Sequence, residues 1–222
     1  FPDVALDPAR LAAMDADVEF RGAKVVASAM PLADFLVRFR LRDRVLSIAP
    51  LHFSSGAGAI ESLVTIDGTQ EPPAIDSRWT VRDLPIRPMM KQVSAAIDQP
   101  NLTTGALDGT ASLSGQGRSL YDMLAVADGR LRLALAGGTL SHLVVELVGL
   151  DIAESAGFLM KGDAPVPIRC MVADFTVAKG HLRTRLLVLD TDDTVVTGTG
   201  TIDLAAESLD LRLSPAPKDF SL

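Results

Sequence analysis

The chain has 222 residues, which is long enough for one large β domain or two small ones. Its net charge of −7 argues against nucleic acid as a partner, because phosphate binding requires a basic surface. No run of the sequence approaches the roughly 20 apolar residues that a membrane-spanning helix requires. The single cysteine, Cys170, excludes an internal disulfide, so the cysteine count leaves the redox compartment open.

The first half of the chain is predicted to form mainly strands. A short helix begins near Pro8, and a strand or hairpin follows between 15 and 29. The clearest strand covers 35–42, where apolar residues alternate with three arginines, as burial of one strand face requires. Further elements follow in chain order: strands at 45–53, 60–66 and 75–81, and a helix at 85–97.

The second half repeats this preference for strands. A strand is predicted at 105–114, followed by a helix from Ser119 to about Ala127. Ser119 and Asp122 have the spacing of a capping box, with Asp in place of Glu, which predicts where this helix begins. A strand at 131–135, the longest helical stretch at 141–160 and four final strands complete the chain.

The last two predicted strands show a regular alternation of apolar and polar side chains. Leu209, Leu211 and Leu213 alternate with polar residues, and 195–204 shows the same period. Successive side chains of a strand point to opposite faces, so each of these strands has one apolar and one polar face. This pattern predicts a one-sided antiparallel sheet whose apolar face must be covered.

The predicted fold is mainly β: an elongated, curled antiparallel sheet that forms a groove or half-barrel, capped by three to four short helices. The chain begins Phe-Pro-Asp rather than with Met, and we expect it to be a single elongated segment, 1–222, excised from a longer chain. A weak internal similarity between 35–58 and 171–200 suggests two repeat units, at 15–98 and 102–215.

The apolar rows of these strands are candidates to line a groove for acyl chains. The same rows would serve equally well as an ordinary hydrophobic core. Glycines on the apolar side either leave such a groove open or mark a bend or a close backbone approach. The candidate groove residues are Leu107, Ala111, Leu113, Leu131, Leu133, Leu135, Val196, Gly198, Gly200, Ile202, Leu209, Leu211 and Leu213.

The segment 141–161 is apolar but too short and too charged to span a membrane. We expect it to cap the open apolar face of the sheet, and a mobile lid or a membrane-touching helix is the alternative. The candidate cap residues are Leu143, Leu147, Leu150 and Phe158. The arginines at 38, 40 and 42 form a basic row that suits either lipid phosphates or cross-strand ion pairs, of which the pairs are the more typical.

No catalytic or metal-binding constellation is visible in the sequence. His52, His142 and His181 stand far apart, and none lies in a zinc-binding spacing with a second ligand. Neither a nucleophile elbow nor a phosphate-binding loop is present. We therefore expect no enzymatic activity, no metal and no cofactor.

Several motifs resemble the AsmA family of Gram-negative envelope proteins. The resemblance covers most of the chain, is sharpest from about Gly105 onward, and is carried by strand and glycine positions. It includes Leu-Asp-Thr at 189–191 and Gly-Thr-Gly-Thr-Ile-Asp-Leu at 198–204. The other resembling segments are 50–58, 113–120, 128–129, 138, 168–170, 173–175, 179–180, 207–211 and 217–219.

This resemblance implies the periplasmic portion of a protein anchored in the inner membrane. It also implies a role in outer-membrane assembly or envelope lipid homeostasis. Members of the wider group are similar to bridge-like lipid transfer proteins, whose β-groove is lined with aliphatic side chains. We expect the chain to shelter phospholipid, or another hydrophobic ligand, against its apolar face, with envelope proteins as further partners.

The alternative is a structural or protein-interaction module of the envelope with a closed core and no ligand. A continuous apolar cleft between the sheet and its helices would distinguish the two.

Overall fold

A computed structural model describes residues 11–26, 31–87, 103–140 and 166–218, together with residues 1, 3 and 5. These residues form eleven β-strands and one short α-helix. The helix, α1 (Leu120–Ala125), lies between β6 and β7. The strands are β1 (Ala16–Val26), β2 (Pro31–Arg42), β3 (Val45–Ser55), β4 (Gly58–Asp67), β5 (Ala74–Pro85), β6 (Thr103–Gln116), β7 (Asp128–Leu140), β8 (Val166–Ala178), β9 (His181–Thr191), β10 (Thr194–Asp203) and β11 (Ser208–Pro217).

All eleven strands belong to one sheet in which each strand lies beside the next strand of the chain. Every neighbouring pair is antiparallel. In the described residues β1 and β11 do not pair with each other, so the sheet is open and has two edges. The prediction of a mainly β, antiparallel fold is confirmed, whereas the two repeat units at 15–98 and 102–215 stay a prediction.

The strands bend as well as twist. Six of the ten strand pairs contain a register shift, for example between Val37 and Phe39 on β2 and between Val81 and Leu84 on β5. Neighbouring strands typically rotate by roughly 20–25° relative to each other, which would accumulate to about 200–250° over ten pairs. A flat sheet of this width is therefore excluded.

One end of the sheet, here called the α1 end, carries the connections after β2, β4, β6, β8 and β10. Hydrogen bonds join these connections to one another: Gly68 N donates to Arg44 O, Gly180 N to Ala127 O, and Leu204 N to Gly180 O. The best-buried cluster lies close to this end. It consists of Ala127, Ala173, Phe175, Val177 and Leu182, with Leu113, Leu131, Leu133, Leu187, Ile202 and Leu204 packed against it.

The helix predicted after Ser119 is confirmed. Ser119 is the N-cap of α1, and its Oγ accepts a hydrogen bond of 3.1 Å from Asp122 N. The Asp122 carboxylate accepts from Arg118 N at 3.0 Å, so it satisfies a donor one residue before the cap. A carboxylate here also complements the positive end of the helix dipole.

The prediction of three to four capping helices is wrong for the described residues, in which α1 is the one helix described over its whole length. The helix predicted at 141–160 lies outside the described residues, as does most of the one at 85–97. The predicted start of this second helix at residue 85 is wrong, because β5 continues to Pro85, which pairs with Ala106. A register shift after Val81, with Asp83 at a positive φ of 48°, lets the strand extend past the point where its alternation breaks.

The contact between α1 and Gly180 predicts a measurable difference between two glycine variants. Gly180 and Gly137 have similar positive φ values, 74° and 69°, but an added Cβ would overlap Ala125 O at Gly180 and meets nothing within 4 Å at Gly137. In both alanine variants the free energy of unfolding should fall by about 1 kcal/mol because of backbone strain. In Gly180→Ala it should fall by a further ~1–3 kcal/mol, because α1 must move away from the added methyl group. Urea unfolding measures both, and equal losses would show that α1 does not pack tightly on this turn.

Candidate functional site

One face of the sheet is apolar from β1 to β11. Residues that pair directly across antiparallel strands share a face, so the register assigns each side chain. At the α1 end one row crosses the first six strands: Ala16, Leu41, Leu46, Ile66, Ile75 and Gly115. The adjoining row crosses the last six: Leu113, Gly129, Val177, Leu182, Ile202 and Leu209. We call this continuous surface the apolar face.

All thirteen predicted groove residues lie on the apolar face. They occupy β6, β7, β10 and β11, and the register brings them into shared rows, one of which runs Leu107, Leu135, Met171, Leu189 and Val196. Most are half-buried, whereas Leu135, Val196 and Gly198 are buried and Leu209 is exposed. That they line a groove for a lipid stays a prediction.

Other members of the apolar face were missing from the predicted set. On β8 they are Met171, Ala173, Phe175 and Val177, whose spacing of two residues is a visible strand signal. On β1, β3 and β5 they include Val18, Phe20, Ile48 and Trp79. The bulge in β3 hides the period there, because Ile48 and Leu51 share a face although they are three residues apart.

Exposure of the apolar face rises toward both edges of the sheet. Leu135 on β7 and Phe175 on β8 are only 3% and 5% exposed. Phe20 on β1 is 52% exposed, and Leu209 on β11 is 71% exposed. Large apolar side chains at both edges therefore remain accessible, and such patches typically mark binding surfaces.

Helix α1 covers the apolar face at the α1 end. Met123 is buried against Gly115, and Ala127 joins the cluster around Phe175. The hydroxyl of Tyr121 donates to Ala205 O at 3.1 Å, which ties the helix to the turn between β10 and β11. The cap predicted from Leu143, Leu147, Leu150 and Phe158 lies outside the described residues, so α1 is the cap that the structure describes.

The glycines on the apolar face have no free space beside them for a side chain. A Cβ added to Gly198 would overlap the side chain of Leu187 and approach Leu213 Cδ2 to 3.0 Å. At Gly109 it would lie 2.8 Å from Leu133 Cδ2, and Gly200 combines a positive φ of 146° with close approach to Asp210 O. These glycines therefore allow neighbouring leucines and strands to approach closely.

The opposite face of the sheet is polar and its charges are paired across strands. Arg130 donates to both oxygens of Asp174, with Nε 2.9 Å from Oδ1. Arg38 does the same to Asp17, at 2.8 and 2.9 Å, and Arg40 Nε reaches Asp17 at 3.4 Å. The hydrogen bonds from Arg130 and Arg38 lower the pKa of Asp174 and Asp17, respectively. Two of the three arginines in the predicted basic row are thus in cross-strand ion pairs.

The described residues show no grouping of His, Cys, Asp and Glu suited to hold a metal ion. His52 lies 4.0 Å from Glu61 in a shallow hollow of the polar face, and His181 lies 3.6 Å from Asp203 at the α1 end. None of the helical residues described is part of a stretch long and apolar enough to cross a bilayer.

Comparison with known proteins gives one family. A model of the AsmA family matches residues 5–187 of the chain. The chain is also similar to the AsmA family protein YhjG of Escherichia coli (strain K12), with 30% identity over 210 residues. This alignment covers 94% of the chain but only 30% of YhjG. No solved structure matches the chain.

The Asp174–Arg130 pair predicts a pH-dependent contribution to stability. The folded-state pKa of Asp174 lies below its value in the unfolded chain, about 3.9, so the stabilisation is present above that pH and is lost as the pH falls through the folded-state pKa. Asp174→Asn should lower the urea midpoint at pH 7, and its difference from wild type should shrink toward pH 3. Asp76→Asn is the control, because Asp76 lies 3.8 Å from Arg78 and both side chains are exposed. A difference that is the same at pH 7 and pH 3 would contradict the assignment.

Proposed function

We propose that this chain, which belongs to the AsmA family, shelters phospholipid acyl chains against its apolar face in the bacterial envelope. The observation that supports this most strongly is the continuity of the apolar face over eleven strands. The exposed Phe20 and Leu209 at its two edges leave part of that surface accessible. We further propose that the curled sheet acts as a groove, with lipid head groups at its polar rim.

AsmA is a family of the bacterial envelope, and membership suggests a role in envelope assembly. The chain spans about 30% of the length of YhjG, so the activity of the whole protein is a proposal as well. We place the chain in the periplasm, as part of a protein that is anchored in the inner membrane. The role that we propose there is outer-membrane biogenesis or envelope lipid homeostasis, with envelope proteins as further partners.

The energetics of such sheltering are favourable without covalent chemistry. A row that crosses five strands spans about 19 Å, because neighbouring strands lie roughly 4.8 Å apart. Each methylene that leaves water gains about 0.8 kcal/mol, so ten methylenes against such rows gain about 8 kcal/mol before ordering costs are counted. The proposed mechanism is passive, and AsmA is not a known enzyme family.

A second candidate function is a scaffold or protein-interaction module with a closed core. The observation in its favour is the α1 end, where Met123 and Ala127 of the α1 region fill the space above the sheet. The two candidates differ in what covers the rest of the apolar face. Acyl chains would do so in the first, whereas protein would do so in the second.

Two exposed leucines on opposite faces of the sheet allow a matched test. Leu209 lies on the apolar face, and Leu63 on β4 pairs with Arg78 on the polar face. Because both side chains are largely exposed, Leu209→Asp and Leu63→Asp should fold like wild type, as circular dichroism can verify. Binding of a phospholipid with a fluorescent acyl chain should weaken about tenfold in Leu209→Asp, since a charge enters the proposed contact surface, and should not change in Leu63→Asp.

Equal effects of the two substitutions would contradict binding at the apolar face. An absence of phospholipid binding by the wild-type chain, together with an absence of lipid in organic extracts of the purified protein, would favour the closed scaffold instead.

A further inference from the structure

The centre of the polar face holds an excess of arginine. Two adjacent rows cross it from β5 to β9, and Arg185 adjoins the second of them. The first row is Arg78, Ser112, Arg130, Thr176 and Arg183, and the second is Thr80, Thr110, Arg132, Asp174 and Leu186. We call this surface the arginine stripe. It contains five arginines and a single carboxylate, whereas the whole chain has a net charge of −7.

Arg185 belongs to the stripe because β9 bulges at this point. Asp174 pairs with Leu186 and Phe175 pairs with Thr184, so Arg185 and Leu186 together oppose Asp174. Both side chains are exposed. The pKa of Asp174 is lowered first by the hydrogen bond from Arg130 and further by the positive charge of nearby arginines, including Arg185. The bulge thus brings a further guanidinium group close to the one carboxylate of the stripe.

Asp174 is too few charges to neutralise its neighbours. Its two oxygens already accept from Arg130, with Nε 2.9 Å from Oδ1. Arg132 Nε lies 3.9 Å from the same Oδ1, which is too far for a hydrogen bond. Arg183 and Arg185 form no ion pair within the part of the chain that the structure describes. The guanidinium groups of Arg132, Arg183 and Arg185 can therefore accept anionic partners.

Carboxylates border the arginine stripe along both of its long sides. On the side of the α1 end the next row contains Asp76 and Asp128, and on the other side it contains Asp108. Arg82 also lies on that other side, but it is directed at Glu61, 3.7 Å away. A broad anionic surface such as a bilayer would meet these carboxylates as well as the arginines. A narrow ligand would meet the arginines alone.

The dimensions of the stripe also favour a narrow ligand. From β5 to β9 it crosses four strand spacings, or about 19 Å, and its two rows lie roughly 7 Å apart. An extended polypeptide rises about 3.3 Å per residue, so about six residues cover this length. Guanidinium groups bind carboxylates through paired hydrogen bonds of well-defined geometry. We propose that the arginine stripe is a docking site for an extended acidic segment of a partner protein, whose carboxylates pair with Arg132, Arg183 and Arg185.

Fluorescence anisotropy of a fluorescein-labelled octaglutamate peptide tests the proposal on the 222-residue chain. The wild-type chain should bind the peptide saturably at about 50 mM salt and several-fold more weakly at about 200 mM salt. A labelled octaglutamine peptide should not bind. Arg183→Glu and Arg185→Glu should each raise the dissociation constant about tenfold, because an attractive contact becomes repulsive.

Arg42→Glu is the matched control. Arg42 is an exposed arginine on the polar face of β2, outside the stripe, and its reversal changes the net charge by the same amount. It should change the dissociation constant less than about twofold, since the distance from the stripe exceeds the range of unscreened attraction. Arg185→Gln removes the charge with a smaller change of the side chain and should weaken binding about threefold. Circular dichroism verifies that each variant folds like wild type.

Three results would overturn the proposal. The first is a wild-type chain that does not bind octaglutamate at low salt. The second is an equal loss of binding in Arg42→Glu and Arg185→Glu, because binding would then follow net charge rather than the stripe. The third is flotation of the chain with phosphatidylglycerol vesicles that depends on Arg185 while octaglutamate does not compete, which would assign the stripe to a membrane surface instead. Because the stripe lies on the face opposite to the apolar face, none of these results depends on lipid sheltering.

Discussion

A strand sends alternate side chains to opposite faces, and ten successive strand pairs preserve this order across the whole sheet. Every apolar row and every ion pair described above depends on it, because a slip of one residue would bring an entire strand's leucines to the polar face. The bulges do not break the order. On β2 and β3, Val37 pairs with Leu51 and Phe39 with Ile48, so one residue opposes two and both flanking pairs keep the same face. The sheet therefore keeps one apolar and one polar face across all of its strands.

The two faces are held by different interactions. The apolar face is covered at one end by α1, and a side chain at Gly115, Gly117 or Gly180 would collide with residues of this helix. The polar face is organised by cross-strand pairs such as Arg130 with Asp174. These pairs favour one strand register, but they add little stability where they are exposed to water. The contacts of α1, in contrast, hold the buried end of the sheet in place.

The strands and the position of α1 are local properties, and the sequence predicted them well. Alternation along 35–42 and 209–213 identified β2 and β11, and Ser119 marked the start of α1. The end of β5 was missed because a bulge at Asp83 interrupts its period, and Pro85 resembled a helix start. The role of Gly180 was out of reach, since it depends on contact with Ala125, which lies 55 residues earlier in the chain.

The most direct test of the apolar face as a lipid site is photo-crosslinking with a phospholipid that carries a diazirine in its acyl chain. Mass spectrometry of the digested protein then locates the modified residues. The account predicts modification of apolar-face side chains, such as Phe20, Phe39, Leu211 and Leu213, with head-group-labelled lipid reacting elsewhere. Modification concentrated on polar-face residues such as Leu63 and Leu186, or none at all, would contradict it.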